Sequence, residues 1–131
     1  MQKHKILIVD DDPKLSRLVK TILEKTNAYQ VQEENRSSAA LAAAKAFTPD
    51  LVLLDVDMPG KDGGDVAREL QADSVLRQTP ILFLTSLISH SEAGRGAVER
   101  GGMLFLAKPV DPALLIETIG RILKSEPAAA K

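Results

Sequence analysis

The chain has 131 residues, 44% hydrophobic and 27% charged, as expected of one globular domain. Seventeen basic and eighteen acidic residues give a net charge of −1, which offers no basic surface for nucleic acid or an anionic membrane. The absence of cysteine excludes disulfides, and the apolar runs are too short to span a bilayer. The N-terminus does not resemble a signal peptide, so we expect a cytoplasmic domain over residues 1–124 and a tail or linker over residues 125–131.

The first half of the chain alternates between strand and helix patterns. Residues 5–9 are a short apolar run typical of a buried strand, and from Leu15 onward apolar residues recur with helical spacing. Weak alternation over residues 29–32 predicts an edge strand. The alanine-rich residues 37–47 predict a helix with Ser37 as its N-cap.

The second half of the chain continues this alternation. Residues 51–54 predict a strand buried on both faces, and residues 65–72 predict a helix. A fourth apolar run ends at Thr85, and a fifth covers residues 103–106. Pro112 then begins a last amphipathic helix.

The segment between the last two strands is rich in glycine. Residues 89–102 contain four glycines, and each one inside a helix is unfavourable by about 1 kcal/mol. We therefore predict a short or irregular helix centred on residues 92–100.

Repeated strand–helix units with near-continuous aliphatic strands predict an α/β fold, with a five-stranded parallel sheet covered by helices on both faces. Ligands of such open sheets bind at the carboxyl ends of the strands. The second strand ends in Glu33-Glu34-Asn35, which carries no comparable signal. The other four strands end in reactive or charged side chains: Asp10 and Asp11, Asp55, Thr85, and Lys108.

Taken singly, Asp55, Thr85 and Lys108 fit a turn, a strand end and a solvated charge. Asp12 before Pro13 is typical of a helix cap, but one carboxylate is enough for a cap, so Asp10 and Asp11 remain unexplained. Their combination predicts more. Carboxylates from adjacent strands repel unless a cation neutralises them, and Mg²⁺ prefers oxygen ligands. A carboxylate nucleophile, a metal ion, a lysine and a hydroxyl group are together what phosphoryl transfer needs.

Four segments with this order and spacing identify a resemblance. They are KILIVDDDPKL, DLVLLDVDMPGKDGG, ILFLTS and GGMLFLAKPVDP. Over residues 4–124 the chain resembles the receiver domain of response regulators, the phospho-acceptor module of two-component signalling. The resemblance implies a doubly wound, flavodoxin-like (βα)₅ fold with strand order 2-1-3-4-5.

The resemblance also implies a role for each acidic residue. Asp55 would accept the phosphoryl group. Asp10 and Asp11 would bind Mg²⁺ together with Asp55 and the backbone carbonyl of Asp57.

The remaining residues would read out the phosphoryl group. Lys108 would pair with its oxygens, and Thr85 would hydrogen-bond to it and couple it to the ring of Phe105, where the family often has tyrosine. The Lys108-Pro109 bond would be cis, as is typical of the family. Ser86, where alanine is usual, is small enough to leave the site open.

The implied function is a signalling switch rather than an enzyme. A histidine kinase or a phosphotransfer protein would donate the phosphoryl group, and the domain would assist its own phosphorylation and dephosphorylation. The phosphorylated domain would then bind an unknown downstream protein differently, with no nucleic acid or membrane as partner. Residues 89–102 would act as an order–disorder switch.

Two alternatives remain open from the sequence. Asp55-Val56-Asp57 also matches the DxD start of phosphatases of the haloacid-dehalogenase type, although their further acidic pair lies downstream, whereas Asp10 and Asp11 lie upstream. The second alternative is a receiver-like scaffold that binds partners without phosphorylation. Incorporation of phosphate separates this scaffold from the switch.

Overall fold

Six strands form one sheet in the computed structural model, which describes residues 3–58, 62–86, 98–100 and 103–124. In chain order the strands are β1 His4–Val9, β2 Tyr29–Glu34, β3 Leu51–Asp55, β4 Ile81–Thr85, β5 Val98–Arg100 and β6 Met103–Ala107. The α-helices within the same residues are α1 Pro13–Glu24, α2 Ala40–Phe47, α3 Gly63–Ala72 and α4 Pro112–Lys124.

The strands lie in the order β2-β1-β3-β4-β6-β5. All neighbours pair in parallel except β5, which is antiparallel to β6. Because β6 is the fifth strand predicted from the sequence, the predicted parallel order 2-1-3-4-5 is confirmed, and β2 is an edge strand as expected. The short strand β5 is an addition at the opposite edge.

Both faces of the sheet are covered, which explains the near-continuous aliphatic strands. Alternate residues of β1 enter different cores: Ile6 packs with residues of α1 and α4, whereas Leu7 packs with residues of α2 and α3. All four residues of 6–9 are 0% exposed. Successive residues of β1 point to opposite faces of the sheet, and because both faces are covered, each residue is buried in one of the two cores.

Two helix starts differ from the sequence expectations. Ser37 is not an N-cap, because it begins a 3₁₀ turn, Ser37–Ala39, that precedes α2 and has no capping side chain. Helix α3 begins two residues earlier than predicted. Its N-cap is Asp62, whose carboxylate accepts a hydrogen bond from the Asp65 N–H, while the Asp65 carboxylate accepts one from the Asp62 N–H.

The prediction of a helix centred on residues 92–100 is wrong for its last three residues. Val98–Arg100 forms β5, in which Val98 lies opposite Phe105. A β-branched residue favours a strand, and the glycines around it disfavour a helix. The rest of residues 89–102 lies outside the described residues, as do the proposed tail, residues 125–131, and residues 59–61. Among the helices described, none is long and apolar enough to cross a membrane.

Gly63 lies against the end of β3. A Cβ atom at Gly63 would lie 2.6 Å from the Asp55 carbonyl oxygen and 2.9 Å from Val56 Cα. Both neighbours are main-chain atoms, which cannot move away without displacing Asp55. Only glycine therefore allows the start of α3 to lie this close to the main chain at the end of β3.

We expect Gly63→Ala to lower the free energy of unfolding by about 1–3 kcal/mol, because the added methyl group is overpacked against main chain. The matched control is Gly120→Ala in α4, where a Cβ atom meets nothing within 4 Å. That change should raise the free energy of unfolding by about 0.5–1 kcal/mol. Urea unfolding of both variants measures the difference, and equal effects of the two changes would contradict the close approach.

Candidate functional site

The predicted side chains lie together at one end of the sheet, where four parallel strands have their carboxyl ends. Asp10 directly follows β1, Asp55 ends β3, Thr85 ends β4 and Lys108 directly follows β6. Asp55 is paired with Leu84, and Thr85 is paired with Ala107, so the ends are level with one another. Residues far apart in sequence therefore meet at this end, as the topology predicted.

Asp55 is a buried carboxylate that is held from two directions. It is 2% exposed. Its Oδ1 accepts a hydrogen bond from Lys108 Nζ at 2.7 Å and another from the Asp57 N–H at 3.1 Å. The ammonium group compensates the charge of Asp55, and the amide fixes the orientation of its carboxylate.

Asp10 is also buried, but its charge is less well compensated. It is 0% exposed, and its Oδ1 accepts a hydrogen bond from the Asp12 N–H at 2.9 Å. Its Oδ2 is buried and has no hydrogen-bond partner among the described residues. Lys108 Nζ lies 4.0 Å from this oxygen, within ion-pair distance but too far for a hydrogen bond.

This environment changes the pKa of Asp10 and the pKa of Lys108. Burial raises the pKa of Asp10 to about 7, and the charge of Asp55 adds to this effect, while the Asp12 hydrogen bond and Lys108 oppose it. Burial by itself lowers the pKa of Lys108, but its hydrogen bond to Asp55 and the nearby carboxylate charges raise it overall. At neutral pH, Lys108 is therefore a cation, and Asp10 is poised between its two protonation states.

The acidic residues have the arrangement of a cation site. Carboxylate oxygens of Asp10, Asp11 and Asp55 lie within 4.8 Å of one another. A bound cation would also supply the partner that the buried Oδ2 of Asp10 lacks, so these residues fit a hard, oxygen-binding metal ion. Asp12 is not part of the cluster. Its side chain accepts a hydrogen bond from the Lys14 N–H and caps α1, as predicted.

Thr85 and Phe105 lie on neighbouring strands. Thr85 is 2% exposed, and its carbonyl oxygen accepts a hydrogen bond from the Lys108 N–H at 2.8 Å. The ring of Phe105 is partly buried and stacks on Phe83 with 4.9 Å between centroids. Thr85 follows Phe83 by two residues and so shares its face of the sheet. The predicted cis bond between Lys108 and Pro109 is present.

Sequence reasoning missed two contacts at the site. Ser86 was expected only to be small, but its hydroxyl group and its N–H both donate to Asp57 Oδ2, at 3.2 and 3.4 Å. Asn35 carried no signal as a strand end, yet its amide nitrogen donates to the carbonyl oxygen of Asp10 at 2.7 Å. The contact between Ser86 and Asp57 follows from the strand register: Asp55 pairs with Leu84, so two residues further along Asp57 lies opposite Ser86.

The raised pKa of Asp10 predicts a stability change with a definite pH dependence. In the unfolded chain the pKa of an aspartate is about 3.9, so between about pH 4 and 7 the folded protein binds more protons and loses stability as pH rises. In chelator, Asp10→Asn should therefore raise the free energy of unfolding by about 1–3 kcal/mol at pH 8 and by little at pH 4.

Thermal and urea unfolding across this pH range measure the effect. Asp12→Asn is the matched control, because it removes the same charge from an exposed position and keeps a good cap. A stabilisation by Asp10→Asn that is equal at both pH values would contradict the assigned pKa shift.

Comparison with known proteins identifies the family. Residues 6–120 match the response regulator receiver domain. The chain is 36% identical to response regulator PleD of Caulobacter vibrioides over 115 residues, which are 88% of this chain and 25% of PleD. It is 35% identical to DNA-binding response regulator MtrA of Mycolicibacterium smegmatis, with 98% of this chain and 55% of MtrA covered. It is 33% identical to protein PilH of Pseudomonas aeruginosa, with 91% of this chain and 97% of PilH covered.

Solved structures show the same fold. The chemotaxis protein CheY4 of Vibrio cholerae superposes with a TM-score of 0.78 at 29% identity, with 92% of this chain and 99% of that chain covered. The BeF₃-activated receiver domain of Klebsiella pneumoniae RstA superposes with a TM-score of 0.74 at 32% identity and the same coverage. With the family match over most of its length, this chain belongs to the receiver domains of two-component response regulators, which are signalling domains rather than enzymes in the usual sense.

Proposed function

We propose that this receiver domain accepts a phosphoryl group on Asp55 and thereby changes its binding to a partner protein. The observation that carries the proposal is the buried Asp55 carboxylate, which contacts Lys108 at 2.7 Å and lies in one acidic cluster with Asp10 and Asp11. A buried nucleophile beside a cation and a candidate metal site has the parts that phosphoryl transfer requires.

In the proposed reaction a carboxylate oxygen of Asp55 attacks the phosphorus atom of a phosphohistidine. The new oxygen–phosphorus bond forms as the nitrogen–phosphorus bond breaks, and the electron pair of that bond remains on the imidazole nitrogen. Both hydrogen bonds described above end on Oδ1, and we propose Oδ2 as the attacking oxygen. Lys108 then stabilises the negative charge of the phosphoryl oxygens.

Mg²⁺ is the cation that we propose for the acidic cluster. The carboxylates of Asp10, Asp11 and Asp55 would hold it. From the resemblance we add the backbone carbonyl of Asp57 as a further ligand. When bound, it supplies positive charge against the carboxylates and the phosphoryl oxygens. Because the domain provides these groups itself, it assists both its phosphorylation and its dephosphorylation.

Thr85 and Phe105 are the residues that we propose as the switch. Thr85 lies at the sheet edge beside Lys108, and its face of the sheet also carries the stacked rings of Phe83 and Phe105. A hydrogen bond from the Thr85 hydroxyl to the phosphoryl group would change the packing next to Phe105. A ligand shifts a conformational equilibrium only through contacts that differ between its states, and this hydrogen bond would be one.

Membership of the family supports a kind of donor and a kind of target. We propose a histidine kinase or a phosphotransfer protein as the donor and an unidentified protein as the downstream partner, in the cytoplasm. The chain spans about a quarter of PleD and about half of MtrA, but nearly all of PilH. The family match gives no support to the phosphatase alternative, while the scaffold alternative depends on whether phosphate is incorporated.

We expect the wild-type protein to gain the mass of one phosphoryl group when it is incubated with acetyl phosphate and Mg²⁺. Asp55→Asn should gain none, because the amide is a poor nucleophile of the same size. Asp57→Asn is the matched control, since it changes a nearby carboxylate and keeps the phospho-acceptor. Intact-mass spectrometry measures all three. An unchanged wild-type mass would favour the scaffold.

We expect Lys108→Ala and Thr85→Ala to separate phosphorylation from signalling. Both variants should still accept the phosphoryl group on Asp55, about 10-fold or more slowly for Lys108→Ala, because charge stabilisation in the transition state is lost. Both should show smaller amide shifts at Phe105 on phosphorylation. Thr85→Ser keeps the hydroxyl group and should restore the response, and full shifts in Thr85→Ala would contradict the proposed switch.

A further inference from the structure

A chain of hydrogen bonds connects the surface of α1 with the main chain of Asp10. Asn35 Nδ2 donates to the Asp10 carbonyl oxygen at 2.7 Å and to Ser16 Oγ at 2.9 Å. Ser16 Oγ donates to Glu33 Oε1 at 2.8 Å, and Glu33 Oε2 accepts from Arg17 Nε at 2.8 Å. These four side chains have no part in the proposed reaction, although their chain ends at a proposed metal ligand.

The chemistry of the groups determines the direction of each bond. A carbonyl oxygen can only accept, so the amide nitrogen of Asn35 faces Asp10. Burial by itself raises the pKa of Glu33, but hydrogen bonds from Arg17 and Ser16 lower it overall, so this carboxylate also only accepts. The hydroxyl group of Ser16 therefore accepts from Asn35 and donates to Glu33. Ser16 is 0% exposed, so the two hydrogen bonds that its hydroxyl group makes to Asn35 and Glu33 are shielded from water.

Asp10 is consequently held at three points. Its N–H donates to the Glu34 carbonyl oxygen at 3.1 Å, its carbonyl oxygen accepts from Asn35, and its Oδ1 accepts from the Asp12 N–H. The bond to Asn35 fixes the plane of the peptide that joins Asp10 to Asp11. That plane determines where the exposed Asp11 carboxylate lies relative to the buried Oδ2 of Asp10.

We propose that Asn35 is a positioning residue for the Asp10–Asp11 metal pair, and that Ser16 and Glu33 hold Asn35 in place. The inference rests on the Mg²⁺ site of the proposed function. Without this anchor, repulsion between the carboxylates turns the peptide away from the geometry that a cation needs. Groups that orient metal ligands typically contribute 10- to 100-fold in affinity, and the β1–β2 pairing still holds Asp10, so we expect about 10-fold.

The test is a Mg²⁺ titration followed by amide NMR shifts, which reports metal binding without any phosphorylation. Asn35→Ala removes both donors and should weaken Mg²⁺ binding about 10-fold. Ser16→Ala leaves Asn35 in contact with Asp10 and should weaken it by a smaller factor, about threefold. Gln30→Ala is the matched control, because it removes an exposed amide from β2, the strand that Asn35 directly follows, and should bind Mg²⁺ as the wild type does.

Because Ser16 acts on the metal site only through Asn35, the effects of the two substitutions on Mg²⁺ affinity should not add. Ser16→Ala should weaken Mg²⁺ binding little further when Asn35→Ala is already present. Wild-type affinity in a folded Asn35→Ala protein would overturn the inference, as would wild-type affinity in Ser16→Ala if Asn35→Ala does not fold. A wild-type protein without any Mg²⁺-dependent shift would overturn the metal assignment itself, whereas the mass measurement on Asp55 tests the phospho-acceptor separately.

Discussion

The central constraint on this structure is the burial of two carboxylates, Asp10 and Asp55, at the ends of adjacent strands. With Asp11 they place oxygen atoms within 4.8 Å of one another, where two unit charges repel by about 3 kcal/mol at the effective dielectric constant of a protein. Lys108 contacts Asp55 directly and Asp10 only at 4.0 Å. The compensation is therefore incomplete, and the pKa of Asp10 is raised first by burial and further by the charge of Asp55.

The rest of the fold tolerates this repulsion because the strands that carry it are rigid. All residues of β3 and residues 6–9 of β1 are buried, and each strand is paired on both sides. Repulsion of this size is a substantial fraction of the roughly 5–15 kcal/mol that stabilises a domain. The proposed binding site for a cation and a phosphoryl group is thus maintained at a cost in stability that the two cores offset.

The two edges of the sheet relate differently to the site. At the β2 edge, Asn35, Ser16 and Glu33 connect Asp10 to Arg17. Arg17, Glu33 and Asn35 also border an open groove of about 440 Å³. At the other edge, β5 pairs Val98 with Phe105, so the proposed switch residue lies one strand from the edge of the sheet. The metal side and the switch side of the site are therefore supported by separate elements.

The sequence by itself determined most of the strand pattern and the identity of the side chains at the strand ends, because an aliphatic run that ends in a charge is a local signal. The strand order came from the resemblance to receiver domains. Only the tertiary structure decided how those charges are shared: Lys108 bonds to Asp55 rather than to Asp10, and Asn35 turns toward a main-chain carbonyl. It also decided that residues 98–100 form a strand, a state that depends on pairing with β6. The local pattern marks which residues are buried, but it does not specify which distant side chain or main-chain group each polar side chain will contact.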